Sequence, residues 1–247
     1  MAMNLSDRLE YAEDLFCDEK YEESSCEFDK LFDTTAGEER NMVVERWAEC
    51  LIERYRELSD QENNNEALAL CEKALKLLTI SSDRFNEKIL LVRNDHASIL
   101  SEVERYDEAA AEYNGLISEC RALYGSRGHD TLIAMGNLAG VLYDAGKIPQ
   151  AIQLRSRAIN GLRWLNGETD NDYMRELVNL SHDYENIGNF SKAISLLKKA
   201  YELRKRALGK NNDMAINALF QLAVYYKATP HKDHFLDFAH VLLAYFP

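Results

Sequence analysis

The sequence is poor in residues that interrupt helices. Among 247 residues there are 3 prolines and 11 glycines, too few to punctuate the many turns of a sheet-rich domain. Nowhere do about 18 apolar residues run together, the length a membrane-spanning helix needs. Met1 to Glu10 has neither the basic nor the apolar segment of a signal peptide. The five cysteines, at 17, 26, 50, 71 and 120, are odd in number and never fall as CxxC, which argues against a disulfide framework and against a zinc site. The expectation is a soluble cytoplasmic protein with reduced thiols, Cys71 serving as a small core residue on the apolar face of its helix.

Basic charge is also in short supply. Lys and Arg number 29 against 42 Asp and Glu, for a net charge of −13. The imbalance is local: residues 1–66 hold 20 acidic and 7 basic side chains, and the remainder holds 22 of each. Without a concentrated basic surface, nucleic acid is a poor partner. The acid excess either draws a basic partner to the first quarter of the chain or simply solvates that face.

Signatures of catalysis are missing as well. There is no phosphate-cradling glycine loop, no GxSxG and no HExxH. His231, His234, Asp237 and His240 come close to metal-ligand spacing, but a polar helix start after Pro230 is the plainer reading of so loose a set. No enzyme, cofactor or metal site is expected.

What is present is a repeat. Asn137-Leu138-Ala139, Gly146, Ala151-Ile152, Leu154, Ala158 and Gly167 return 42 residues later as Asn179-Leu180-Ser181, Gly188, Ala193-Ile194, Leu196, Ala200 and Gly209. A fixed period of this size marks a repeat architecture. Stepping back, Tyr106, Ala109, Leu116 and Gly125 match Ile148, Ala151, Ala158 and Gly167; Ala67, Cys71, Ala74 and Leu75 precede them. A looser first unit holds Ala12, Leu15, Tyr21, Phe28 and Leu31, with Ser24 at the small position. Apolar spacings of three and four predict helices over 4–18, 21–34, 38–58, 63–79, 84–103, 106–123, 130–145, 148–165, 171–187, 190–208 and 213–228. Asp60 to Asn65 reads as a polar loop carrying an insertion, because Trp47-Ala48 and Leu51 make the first-helix signature earlier than a strict 42 step places it. Gly146 and Gly188 fall where a left-handed residue ends a helix cheaply. The apolar tail Phe235 to Phe246 either caps the stack or marks a chain cut short of a longer protein.

The order of a Leu-Ala/Gly pair, Tyr or Leu, Gly, aromatic or Ile, and two Ala resembles the tetratricopeptide repeat. The 42-residue step, the Asn-Leu-Ala opening and the Leu-Tyr-Gly and Ala-Leu-Gly endings resemble the variant found in kinesin light chains. The resemblance implies an all-α, right-handed α-α superhelix of about five helical hairpins plus C-terminal capping helices, as one repeat domain over 1–247. Its repeats would run 4–34, 38–79, 84–123, 130–165 and 171–208, with a partial sixth repeat and cap over 213–246.

It also implies a protein-binding adaptor or scaffold whose first helices line a concave groove for a peptide or helix segment of another protein, or else the regulatory sensor module of a larger signalling system. Neither nucleic acid nor membrane is an expected partner. Asn137 and Asn179 stand where this family places a ligand-binding amide, although such an Asn can instead bond across its own helix pair. An amide both donates and accepts, which suits peptide groups. Asp95 and Gln221 occupy the equivalent places in neighbouring repeats, and Asn94, Ser98, Gly140, Tyr143, Arg175, His182, Asn217, Val224 and Lys227 share the groove register. The basic second helix of the fifth repeat, with Lys198, Lys199, Arg204, Lys205, Arg206 and Lys210, is expected to be a solvated outer face.

Overall fold

A computed structural model describes residues 4–80, 86–209 and 212–228; Lys210 and the expectations placed on Pro230, on His231 to His240 and on the tail Phe235 to Phe246 lie outside them. Eleven α-helices and no strand occur among the described residues: α1 Leu5–Cys17, α2 Tyr21–Thr34, α3 Gly37–Asp60, α4 Asn64–Thr79, α5 Asn86–Glu102, α6 Tyr106–Tyr124, α7 His129–Asp144, α8 Ile148–Asn166, α9 Asn171–Asn186, α10 Phe190–Leu208 and α11 Asp213–Ala228. The chain divides into two compact units, one ending at Glu112 and the other beginning at Tyr113.

Helix starts follow local chemistry. Asn4 Oδ1 accepts from the Asp7 amide at 2.9 Å and Asp170 Oδ1 from the Tyr173 amide at 2.8 Å, each satisfying a donor that the first helical turn leaves without a partner. Pro149 sits in the first turn of α8, where the missing N–H costs nothing.

The turns inside the hairpins repeat closely. Gly146 and Gly188 have φ of 74° and 73° as expected, and Glu19, Glu62 and Glu104 adopt the same left-handed conformation with φ of 61–62°. At each, the left-handed residue donates three residues back and the next amide five back, as in Gly146 to Tyr143 O and Lys147 to Leu142 O, or Glu104 to Ser101 O and Arg105 to Leu100 O. This double bond closes the carbonyls of the helix end. Glu62, Glu104, Gly146 and Gly188 stand 42 residues apart, so the expected insertion between Asp60 and Asn65 is absent. Asp60 ends α3, Asn64 starts α4, and the loop is as short as its counterparts. The extra length lies at the start of α3, a 24-residue helix. Trp47 stacks on Phe28 of α2, ring centroids 5.7 Å apart and nearly parallel. Trp47-Ala48 therefore reports packing against α2, not the repeat register.

In the first unit α1 packs with α2, α3 with α4, and α3 also meets α1 and α2. In the second, α7 pairs with α8 and α9 with α10, while α8 meets α9 and α10 meets α11. Small residues occupy the crossings. Ala139, Ala151, Ser181 and Ala193 are fully buried, as are Ala67, Cys71 and Ala109, and any larger side chain would push the helices apart. Ser24 is buried at the α1–α2 crossing, where its hydroxyl donates to Ala12 O at 2.8 Å. Cys50, Cys71 and Cys120 are buried and Cys17 and Cys26 exposed, all as free thiols. Burial pushes the Cys71 thiol well up and that of Cys50 up to about 12, so neither is a ready nucleophile.

Candidate functional site

In the C-terminal unit the first helices of successive repeats touch along one side. His129 Nε2 lies 3.0 Å from Asp172 Oδ2, Asn186 Nδ2 is 3.4 Å from the Tyr143 hydroxyl, and the Tyr225 hydroxyl is 3.1 Å from His182 Nδ1. These contacts, 43 residues apart in each case, mark one shared face of α7, α9 and α11, the one expected to be the inner face. Along α9 that face is polar throughout: Asp172, Arg175, Asn179, His182 and Asn186 follow at intervals of three and four, so they form one stripe.

Most of the expected groove residues of this unit fall on that face. Arg175 and Asn217 are exposed, and Asn137, Tyr143, Asn179, His182 and Gln221 are half-buried. Gly140 looks onto open space: a side chain there would meet no neighbour. Gln221 Oε1 is buried and accepts no hydrogen bond from the described residues. Burial, reinforced by Glu185, pushes the Tyr225 phenol up, so it stays a neutral donor and acceptor. Of Lys227 only the backbone is described.

Asn94 and Asp95 lie on α5 in the N-terminal unit. Asn94 is half-buried. Asp95 is engaged within its own unit: Oδ2 accepts from the Tyr55 hydroxyl at 2.8 Å and from Arg56 Nε and Nη2 at 2.9 and 2.7 Å. It lines a cleft of about 150 Å³ with Ser59, Ser98 and Glu102. Arg56 balances this carboxylate. Nearby, Glu112 accepts from Arg93 Nε at 2.7 Å and lies 3.3 Å from His96 Nδ1. Those partners, His96 first, hold its carboxyl below the usual range.

Beneath the inner stripe of α9 lies a charged cluster that sequence reasoning missed. Arg155 of α8 is 3% exposed and donates from Nε to Asp183 Oδ2 at 2.8 Å and from Nη1 to Glu176 Oε2 at 2.7 Å. Glu176 Oε1 faces Asn179 Nδ2 at 3.4 Å and Arg175 Nε at 3.5 Å, which links the buried cluster to the surface stripe. Asn179 thus bonds within its own helix and not across the helix pair, and its side chain stays partly open. Burial raises the Asp183 carboxyl despite the opposing pull of Arg155. One step of 42 away, the places of Glu176, Asp183 and Arg155 are held by Ala134, Val141 and Leu197, all buried. Charge in a core register was the available signal.

The basic helix α10 departs from expectation at one point. Lys198, Lys205 and Arg206 are exposed, but Arg204 is buried, and burial lowers its guanidinium from the usual value. Lys199 is half-buried between Glu168, 3.1 Å away, and the Tyr173 ring.

Family models of the tetratricopeptide repeat match residues 88–163 and 177–212. No curated protein matches the sequence. Among solved structures, a kinesin-light-chain-like protein of Podosopora anserina built of nearly identical TPR-like repeats superposes with a TM-score of 0.67 at 15% identity, covering 79% of this chain and 92% of its own. A Signal Transduction ATPase with Numerous Domains from Pyrococcus horikoshii, which has a tetratricopeptide repeat sensor, gives 0.66 at 19% identity over 98% of this chain and 36% of that one. A Rap protein complexed with competence and sporulation factor gives 0.62 at 13% identity, over 98% and 76%. Helical hairpins recurring every 42 residues and the family matches lead to one conclusion: the chain carries tetratricopeptide repeats, matched over residues 88–163 and 177–212, in a fold like that of these neighbours.

Proposed function

We propose that this chain is a non-enzymatic adaptor that holds a peptide or helix segment of another protein against the inner faces of its first helices. A tetratricopeptide fold is a protein–protein interaction module; the assignment to the inner face rests on the polar stripe of α9 from Arg175 to Asn186. Its amides and its imidazole can pair with backbone groups of an extended segment whatever its sequence, and Gly140 leaves room beside them. Gln221 Oε1 offers a buried acceptor with no donor among the described residues, a group that gains from a ligand N–H. Nucleic acid is a poor fit to the acidic charge, and no helix among the described residues is long and apolar enough to cross a membrane. A cytoplasmic setting agrees with five free thiols.

The test is affinity capture with the wild type and with Asn137→Ala combined with Asn179→Ala, partners being identified by mass spectrometry. Partners lost from the double variant, with its helical signal intact, support the inner-face assignment; an unchanged set removes it. A second reading is a sensor module of a larger signalling protein, motivated by the likeness to the Pyrococcus horikoshii sensor repeats. Detection of the native polypeptide as a stable protein of this length would discard that alternative.

A further inference from the structure

The C-terminal unit carries an arginine-lined cleft on residues outside the inner stripe. Its walls are the end of α6, the loop leading into α7, the first turns of α7 and one side of α8, and it holds about 570 Å³. Arg121, Arg127 and Arg157 surround a floor of Leu132 and Met135. At the rim Trp164 is 66% exposed, with the Arg127 guanidinium 4.6 Å from its ring centroid. The floor depends on Gly161, since a side chain there would collide with Leu132. No carboxylate lines the cleft, and none of the three arginines has an ion pair among the described residues.

A complementary surface belongs to the same chain. On α2, Glu22, Asp29 and Asp33 are exposed and fall on one helical face, a stripe about 16 Å long at 1.5 Å per residue. None of the three is ion-paired among the described residues, and the neighbouring Lys30 is taken by Glu27. We propose that the arginine cleft receives the acidic face of α2 from a second copy of this chain. Exposed Trp and Arg are the side chains that anchor protein interfaces, and a small anion would leave Trp164 uncovered. The two surfaces differ, so the contact is heterologous. Each added copy brings one unused cleft and one unused acidic face, and the assembly grows head to tail. Neither surface includes an inner-stripe residue, so this proposal and the peptide-binding reading stand or fall separately.

Sedimentation velocity of the full chain, over a concentration series at low and at high salt, tests it. The expected result is a mass that rises with concentration at low salt and returns to the monomer at high salt, where charges are screened. Arg121→Glu with Arg157→Glu should abolish association, and so should Glu22→Lys with Asp29→Lys. Mixing these two variants should restore association, because the intact cleft of one meets the intact acidic face of the other and the reversed cleft and reversed face are again opposite in charge. All four side chains are exposed, and an unchanged circular dichroism spectrum serves as the folding control; Arg121→Gln with Arg157→Gln repeats the test if charge reversal disturbs the fold. A wild type that stays monomeric at low salt overturns the proposal, as does association indifferent to either variant. A monomer whose exposed-tryptophan emission shifts on adding a glutamate peptide also overturns it, by giving the cleft to a different acidic partner.

Discussion

The carboxylate of Glu176 occupies the space that a side chain on Gly136 would need: a Cβ built there falls 2.9 Å from its Cδ and 3.0 Å from Oε1. Gly136 on α7 is what lets α9 bring a charged residue into the interior. Gly136→Ala should shift Glu176 off Arg155 and lower stability by about 1–3 kcal/mol, the usual range for overpacking. Gly140→Ala, one turn on, meets open space and should be neutral or gain up to about 1 kcal/mol from helix propensity. Thermal melts of the two variants decide whether the space at Gly136 is used as described.

Arg155 faces two buried carboxylates, so its loss should be costly. Arg155→Leu, the residue found one repeat later, leaves Glu176 and Asp183 uncompensated and should cost about 3–5 kcal/mol at neutral pH. That cost shrinks as the pH falls and the carboxylates take up protons. Replacing all three residues by their counterparts, with Glu176→Ala and Asp183→Val, should restore most of the loss. Denaturant unfolding of the single and triple variants checks both statements; a triple variant no more stable than Arg155→Leu would contradict the account.

Asp183 carries its own pH signature. Burial raises its carboxyl above the ordinary 3.8, so the native state holds this proton more tightly than the unfolded chain. Its contribution is most favourable below 3.8 and declines as pH rises through the elevated value. Asp183→Asn keeps an oxygen for Arg155 and removes that decline. The variant should match the wild type in acid and equal or exceed it near neutral pH, as read from melting temperature against pH.

Glu112 runs the other way. With its carboxyl held below the ordinary 4.5, its stabilisation is present above that value and is lost as pH falls through the depressed one. Glu112→Gln should therefore cost about 1 kcal/mol at neutral pH, a modest figure because the pair is partly exposed. In acid the two proteins should converge.

The helices and turns of this fold were nearly all legible in the residues. Apolar spacing placed each helix to within a few residues, and Gly146 and Gly188 announced left-handed turns. Legibility failed where one residue type stood in for another. Glu19, Glu62 and Glu104 do the work of glycine with no composition cue, and missing them displaced the second repeat by two turns of α3. Asp95 read only as a groove position because Tyr55 and Arg56 are 40 and 39 residues away in sequence. Partners at that distance leave no local pattern. The Arg155 cluster was hidden for the same reason, although Glu176 and Asp183 in a core register were visible to a repeat-by-repeat comparison.

The turns at Glu62 and Glu104 carry a further consequence. A left-handed conformation costs a non-glycine residue about 1–2 kcal/mol, offset in part by the backbone entropy that glycine loses on folding. Glu62→Gly and Glu104→Gly should each raise stability by up to about 1 kcal/mol, with Gly146→Ala opposite in sign; chemical denaturation of the three variants checks the ordering.

Glutamate and glycine codons differ by a single base at the second position. At Glu19, Glu62 and Glu104 the chain is thus one transition mutation away from relaxed helix ends, with no intermediate amino acid to cross. Selection for heat tolerance in the laboratory should reach these three codons among its earliest solutions, before any change in the core.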